Sequence, residues 1–494
     1  MSQYILTIDE GTTSERVILY DTISKKIIDS HNLPISSTYP FAGWVEQNAN
    51  EIWTHVKESL LYIVKKHKLT KANTLGIGIT NQREAVCSWD EEGTPLAPII
   101  SWQCKRTTKF CDSINARTKD KIKAKTGLIM DSYFSASKMK WLLENDLAIK
   151  NATKNGTLHF GTIDSWLIYK LTNGSTFATD TSNASRTMLV DLSNPFEYDG
   201  ELLKFWGLKV NFLPKILNSI DNFGVEQLTG QNFPILSVIG DQQSSLVGQG
   251  AIQPKTAKMT YGTGGFLLVN TGHKVVENND KLLNTVAFSI KGKTTYAIEG
   301  SIFNCGSALN FIKNTLNMFE NYSDLDKICL TTKSDGVCFF PTFTGIGAPY
   351  WNGSLRGSIS EMTFDTDKNK ITKATIESFA FSLQEILDEL KTKKVNVKEI
   401  TCDGGVSKSD YLLSLIACTA KIDIHRSSEP ESTAMGATYL AMLSSGVIKS
   451  LSDITTLVSH SKTFTPDQEL SGYAKKMYTY WHKKLLNRLQ FNAN

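Results

Sequence analysis

The segment from Tyr4 to Tyr20, YILTIDEGTTSERVILY, limits the possible folds more than any other stretch of the chain. Apolar runs at 4–8 and 17–20 flank a polar turn, Asp9-Glu10-Gly11-Thr12-Thr13-Ser14, and strand, glycine turn, strand is the pattern of a β-hairpin. An ordinary polar connector reads the same way, but this turn carries ligand-binding chemistry. Gly11 admits a ligand close to the backbone because no Cβ intervenes. Thr12, Thr13 and Ser14 add hydroxyls to backbone N–H groups, a combination that suits phosphate oxygens. Asp9, at a strand end, is placed to orient a hydrated Mg²⁺, and Arg16 returns positive charge on the second strand. The device recurs: 258–261 leads into Gly262-Thr263-Gly264-Gly265, and 266–269 leads out. Two such hairpins predict two similar domains, 1–247 and 248–494, closing on one nucleotide.

A chain of 494 residues is long enough for two cores. With 41% hydrophobic and 21% charged residues it has the composition of a globular protein, and a net charge of +4 without a basic arm argues against nucleic acid as a partner. The start lacks a signal-peptide pattern and no apolar run is long enough to span a bilayer, so the expectation is a cytoplasmic protein without a transmembrane segment. None of the eight cysteines sits in a CxxC pair, which predicts free thiols rather than a metal site.

Along the chain, strands and helices alternate. The pattern predicts a strand at 25–28, an amphipathic helix over 51–65 with Asn50 near its cap, strands at 75–79 and 85–89, helices at 136–145 and 164–171, and a polar turn at 180–186. Arg83-Glu84 follows a strand, where α/β folds place ligand contacts; the guanidinium donates to hydroxyls and the carboxylate accepts from them. A surface salt bridge is the plainer reading of that dipeptide. Trp102 is either core or a ring for the carbon face of a small polar substrate, its N–H still usable. Strand 235–239 runs into Gly240-Asp241-Gln242-Gln243 and then a helix, so Asp241 reads as an N-cap or as a general base at the cleft. In the second half, strand 296–299 precedes a helix through Gly306 and Asn310. An aromatic loop follows at 343–351, then a long helix over 371–390, and strand 399–402 ends in Asp403-Gly404-Gly405. No Pro/Gly/Ser-rich linker appears, which predicts a tight hinge.

These residues resemble the FGGY carbohydrate kinases, and among them the members that phosphorylate glycerol. The resemblance runs end to end through DEGTTS (9–14), PFAGWVEQ (40–47), GITNQRE (78–84), SWQCKRT (101–107), YFSASKMKW (133–141), TSNASRTM (181–188), GDQQ (240–243), YGTG (261–264), GIGAPYW (345–351) and DGG (403–405). It implies an α/β, two-domain, actin-like ATPase (ribonuclease H-like) fold closing around glycerol and MgATP, with ADP as product. Carried over, Arg83, Glu84, Tyr133, Asp241 and Gln242 contact glycerol, and Trp102 and Phe266 pack on its carbons. Asp241 is the base, and Asp9 helps to hold Mg²⁺ with Asp241 nearby. Thr12, Thr13, Ser14, Arg16 and Thr263 meet the phosphates, and Gly306 and Gly405 line the adenosine site, with Asn310 and Ser409 also near the nucleotide. The family also implies a homodimer or homotetramer.

Four positions depart from the family pattern. Glu15 replaces a small residue beside the phosphates and, by hairpin alternation, is expected to face away from Arg16. Asn310 and Ser409 replace Gln and Asn, and Glu361 replaces a Gly, which strains the chain if positive φ is required there. Together they imply a raised KM for ATP beside an intact glycerol pocket. Residues 225–240, where some bacterial members bind fructose 1,6-bisphosphate, contain no Lys or Arg, so no inhibition through that loop is expected. Two other readings fit the same motifs: a kinase for another polyol or ketose, and a binding protein that has lost turnover.

Overall fold

The computed structural model describes residues 3–277 and 279–491. The first hairpin forms as the sequence predicts, with β1 (Tyr4–Glu10) antiparallel to β2 (Ser14–Asp21). The strands β3 (Lys26–Pro34), β4 (Thr74–Asn81) and β5 (Ile235–Gly240) complete a sheet of order β3-β2-β1-β4-β5, in which β4 and β5 run parallel to β1. The parallel strands are buried along most of their length because helices cover the sheet. One of these is α1 (Ala49–Lys66), whose Ile52, Val56, Leu60 and Ile63 face inward at helical spacing. Its cap is Asn48, whose side chain accepts from the N–H groups of Asn50 and Glu51; the expected Asn50 lies two residues further on, within the first turn.

The second hairpin, β6 (Thr256–Tyr261) and β7 (Gly265–Gly272), opens the other half. With β8 (Leu283–Ile290), β9 (Lys293–Ile302), β10 (Glu399–Asp403), β11 (Asp423–Ser427) and β12 (His460–Phe464) it gives the order β8-β9-β7-β6-β10-β11-β12. Its middle, β9-β7-β6-β10-β11, repeats the antiparallel-then-parallel arrangement of the first sheet. The repetition suspected from two glycine turns is therefore a repetition of sheet topology.

Each sheet has its own apolar core, and a further cluster joins them: Ile5, Tyr20 and Ile239 pack with Leu246, Val247, Leu268, Met435 and Tyr439. The joint is a crossing of α3 (Asp241–Gly248) and α7 (Ser432–Ser444), with α2 (Ser135–Asn145), α4 (Gly306–Asn314), α5 (Lys368–Thr392) and α6 (Asp410–Ala420) elsewhere in the chain. Glycine is required at this crossing: a Cβ on Gly436 would stand 1.8 Å from the Ser244 carbonyl oxygen, and one on Gly248 would stand 1.9 Å from that of Ser432. The segment predicted as a polar turn at 180–186 contains a short helix, Thr181–Ala184, capped by the buried Asp180, which accepts from the N–H groups of Ser182 and Asn183. Among the described residues no helix is long and apolar enough to cross a membrane, and the eight cysteines are all free and buried.

Glu15 illustrates how the hairpin sorts its side chains. It points away from the turn's ligand face, is fully buried, and accepts from Ser59 Oγ of α1 at 2.8 Å, while its other oxygen has no partner among the described residues. Burial pushes its carboxyl up to about 8. A folded-state value above the unfolded one means that this group's contribution is complete below about pH 4.5 and is lost as pH rises towards 8. Glu15→Gln is therefore expected to stabilise the protein by about 2–4 kcal/mol near pH 8 and by little near pH 5, measured as the shift in urea midpoint. A stability gain that does not grow between those pH values would contradict the buried, protonated carboxyl.

Candidate active site

The two glycine turns lie at corresponding ends of the two sheets. In the first, Gly11 N–H donates to the Ser14 carbonyl at 2.9 Å, closing the turn, and the half-buried Thr12 accepts from the Trp102 indole at 3.0 Å. The indole N–H is thus held by the turn rather than left for a ligand. In the second, Gly262 and Thr263 are exposed, and a Cβ on Gly306, at the start of α4, would stand 2.6 Å from the Gly262 carbonyl oxygen. A Cβ on Gly405 would meet nothing within 4 Å, so that glycine borders open space. Gly404, at φ +88°, would place a Cβ 2.3 Å from the Tyr261 carbonyl oxygen, so its lack of a side chain is what lets the strand end close up to the turn.

Between the turns is a network of buried charges. Arg83, 3% exposed, makes ion pairs with Asp241 Oδ1 at 3.1 Å and with Glu299 Oε2 at 2.7 Å, and lies 4.0 Å from Glu84 Oε1. Arg186 joins Glu84 at 2.6 Å and Glu299 at 3.1 Å. Two guanidiniums and two carboxylates therefore alternate, and the guanidiniums hold the Glu299 carboxyl down at about 2 despite its burial. Glu84 takes a left-handed backbone with φ 62°, uncommon for a non-glycine residue, and its carbonyl is pinned by Ser135 Oγ and Lys138 Nζ, each at 3.1 Å. Lys138 also donates to the Tyr133 carbonyl at 2.5 Å. That pair of bonds fixes Tyr133, whose ring meets Trp102 edge to face at 5.6 Å.

After these bonds, specific atoms remain. Asp241 is the first residue of α3, with Gly240 as its cap, so it is not the N-cap the sequence suggested. Its Oδ1 accepts from the Gln242 N–H at 2.6 Å and faces Arg83, whereas Oδ2 makes no hydrogen bond among the described residues, and the side chain is 26% exposed. Arg83 Nη2 and Glu84 Oε2 are likewise without hydrogen-bond partners among the described residues. A carboxylate oxygen, a guanidinium donor and a second carboxylate oxygen thus stand ready for a hydroxylated molecule.

Gln242 is oriented from the other half of the chain: its Oε1 accepts from Lys258 Nζ, which also reaches Thr260 Oγ1 at 3.0 Å. Lysine only donates, so the amide oxygen faces it and the amide N–H₂ faces the cleft. Burial draws the Lys258 ammonium down to about 8. Asp9 is half-buried and close enough to Asp241 for that charge to act on it; loss of hydration first, and Asp241 in addition, push its carboxyl up to about 6 against the opposing pull of Arg16. Two neighbouring carboxylates, each with an oxygen that makes no hydrogen bond among the described residues, are an oxygen-only donor set of the kind a hydrated Mg²⁺ accepts, and no compact cluster of three or more His, Cys, Asp or Glu metal ligands occurs among the described residues.

Not all predicted contacts face the cleft freely. Arg16 forms an ion pair with Glu431, just before α7. Asn310 Oδ1 accepts from the Tyr322 hydroxyl. Ser409 caps α6 by accepting from the Leu412 N–H at 3.1 Å and donates to Asp326 at 2.5 Å. Thr13 is exposed at the first turn, and Phe266 lies on β7 opposite Thr260 and Ser301. Glu361 takes the positive φ, 61°, that was the condition for strain, and is held by Lys484 at 2.7 Å and Tyr480 at 2.9 Å. Sequence reasoning missed Arg186, Glu299, Lys258 and Lys138. The signal available was a lone charge inside an apolar strand, as in YAIEGSI and AKMTY.

Comparison with known proteins bears on this geometry. The model of the FGGY family of carbohydrate kinases matches residues 4–248 with its N-terminal domain and 257–445 with its C-terminal domain. The glycerol kinase of Bacillus subtilis is 37% identical over 498 residues, covering 99% of this chain and 100% of its own. That of Thermococcus gammatolerans is 38% identical over 484 residues, covering 97% of each. Among solved structures, Plasmodium falciparum glycerol kinase with ADP superposes with a TM-score of 0.90 at 34% identity, covering 99% of this chain and 98% of that one. Lactobacillus acidophilus gluconate kinase, at 23% identity and a TM-score of 0.89, shares the fold.

Proposed function

Because the chain belongs to the FGGY family of carbohydrate kinases, we propose that it transfers the γ-phosphoryl group of MgATP to glycerol, giving sn-glycerol 3-phosphate and ADP in glycerol breakdown and glycerolipid supply. The observation that carries this reading is Asp241: one oxygen anchored beside Arg83, the other open to the cleft between two phosphate-type turns. A terminal hydroxyl beside Oδ2 gives up its proton there as its oxygen bonds to the γ-phosphorus and the bond to the ADP oxygen breaks. Arg83 Nη2 and the Gln242 amide donate to the substrate's hydroxyl oxygens, Glu84 Oε2 accepts from a hydroxyl, and Trp102, Tyr133 and Phe266 cover the carbons. Asp9 and Asp241 would hold Mg²⁺, and the ion would supply positive charge to the phosphates. The turn residues Thr12, Thr13, Ser14 and Thr263 receive phosphate oxygens, and Gly306 and Gly405 admit the adenosine.

The halves 1–247 and 248–494 act as two domains that close about the α3–α7 crossing and exclude water from the transfer. A cytoplasmic homodimer or homotetramer belongs to the same proposal. Glu15 faces away from the nucleotide and gives no cause for weak ATP binding, but Asn310 and Ser409 are engaged with protein partners and support a raised KM for ATP. The turn at 225–235 is organised by a buried carboxylate, Glu226, which accepts from the Leu228 and Thr229 N–H groups. Fructose 1,6-bisphosphate is expected to leave turnover unchanged; inhibition abolished by substitutions in 225–235 would contradict this.

Product identity tests the reaction directly. Phosphorus NMR of the product is expected to show sn-glycerol 3-phosphate, and phosphate release without an organic phosphate would overturn the transfer. Lys258→Met tests the orientation of Gln242. Without its cationic neighbour the amide is free to flip, so the KM for glycerol is expected to rise roughly tenfold while kcat falls less. An unchanged KM would remove Gln242 from the substrate contacts.

A further inference from the structure

A second enclosure lies away from the cleft. The turn between β2 and β3, the end of α3 at Gly248, the helix α7 and residues 457–459 surround a cavity of about 310 Å³. β2 leaves the phosphate turn at Ser14 and reaches Tyr20 some six residues later, so at ~3.3 Å per residue the cavity is roughly 20 Å from that turn.

The wall holds polar groups without partners. Tyr20 and Tyr439 are each 3% exposed, and their rings meet edge to face with centroids 6.5 Å apart. Neither hydroxyl makes a hydrogen bond among the described residues, and neither is among the buried polar atoms shut off from solvent, so both oxygens open into the cavity they line. Glu429 accepts the Glu431 N–H at 2.9 Å on one oxygen, faces no cation within ion-pair distance among the described residues, and burial pushes its carboxyl up. At the mouth, Lys25 and Lys26 are exposed and adjacent, and neither has a carboxylate partner among the described residues. Ile27, Met435, Leu457 and Val458 make the rest of the wall apolar.

We propose that this cavity is a second ligand site, for a monophosphorylated polyol, with the phosphate on Lys25 and Lys26 and the hydroxyls on Tyr20, Tyr439 and Glu429. The volume suits a molecule of pentose phosphate size. Glu429 sets the chemical class: its carboxylate accepts from hydroxyls and repels a second phosphate carried to the inner end. Because the wall combines β2 and β3 with α7 and residues 457–459, the ligand ties the two halves of the chain together on the side away from the cleft.

The test is calorimetric titration of the whole protein with ribose 5-phosphate, after glycerol and a non-hydrolysable ATP analogue have filled the cleft. Binding is expected with a Kd on the order of 1 mM, weakened about tenfold in the double variant Lys25→Ala, Lys26→Ala and severalfold in Tyr439→Phe. Neither lysine belongs to the catalytic machinery, so the double variant is expected to retain basal turnover and serves as a check on folding. The proposal is overturned if ribose 5-phosphate gives no binding heat up to about 10 mM, or if the double variant binds it equally well. Inorganic phosphate or ribose binding as tightly as ribose 5-phosphate would overturn the assigned ligand class.

Discussion

Replacing Asp241 by Asn is expected to lower kcat by about 10²–10⁴-fold while changing the Kd for glycerol no more than severalfold. The asymmetry follows from the two oxygens. Oδ1 faces Arg83 and the Gln242 N–H, and an asparagine oxygen can accept both contacts, so the start of α3 and the placement of Arg83 survive. The open Oδ2 becomes an amide N–H₂, which cannot take a proton from a hydroxyl. Single-turnover kinetics with a separate glycerol titration measure the two effects independently. Turnover unchanged in this variant would remove Asp241 from its role, and loss of glycerol binding together with turnover would make it a binding residue instead.

The second large effect concerns stability. Arg186→Leu is expected to destabilise the protein by about 3–5 kcal/mol. Arg186 is fully buried and bonds to both Glu84 and Glu299, so removing it leaves two buried carboxylates sharing Arg83 alone. Its own Nη1 is a buried donor without a partner among the described residues, so part of the arginine's desolvation cost is already uncompensated; this moderates the expected loss without reversing it. A loss of this size is a large fraction of the ~5–15 kcal/mol that holds a typical protein folded. Urea midpoints of the two proteins decide the matter, and Arg186→Lys, which keeps the charge but not the fork, is expected to fall between them. An unchanged midpoint for Arg186→Leu would mean that the alternating charges contribute nothing net.

What could be seen in the sequence was local, and what was hidden was not. The hairpins at 4–20 and 258–269 announced themselves because the apolar runs, the glycines and the hydroxyls are contiguous, and the sheets built on them have the expected α/β form. Arg83, Glu84 and Asp241 were visible because each follows a strand or starts a helix, and the structure brings them together. Arg186 and Glu299 were not, because the partners that give them meaning stand far away in sequence: Arg83 meets Glu299 across 216 positions. The same distance concealed Lys258, whose place inside β6 gives no local reason for a charge. Small shifts had small causes. Asn48 caps α1 in place of Asn50 because the helix begins earlier than its apolar stripe, and Asp180 draws a predicted turn into a helical one by capping it. Arg16, Asn310 and Ser409 look like ligand contacts in the sequence, whereas the fold supplies each with a protein partner.

The most direct test of the central claim is a coupled assay of ADP formation with MgATP, comparing glycerol with dihydroxyacetone, xylulose, gluconate and no acceptor. Turnover is expected with glycerol and its close analogues and little with the larger acceptors, because Arg83 pairs with Asp241 and lies near enough to Tyr133, itself packed on Trp102, for its charge to act there. Preferred turnover of xylulose or gluconate would contradict the assigned acceptor, and glycerol binding without turnover at saturating ATP would contradict the assignment as a kinase.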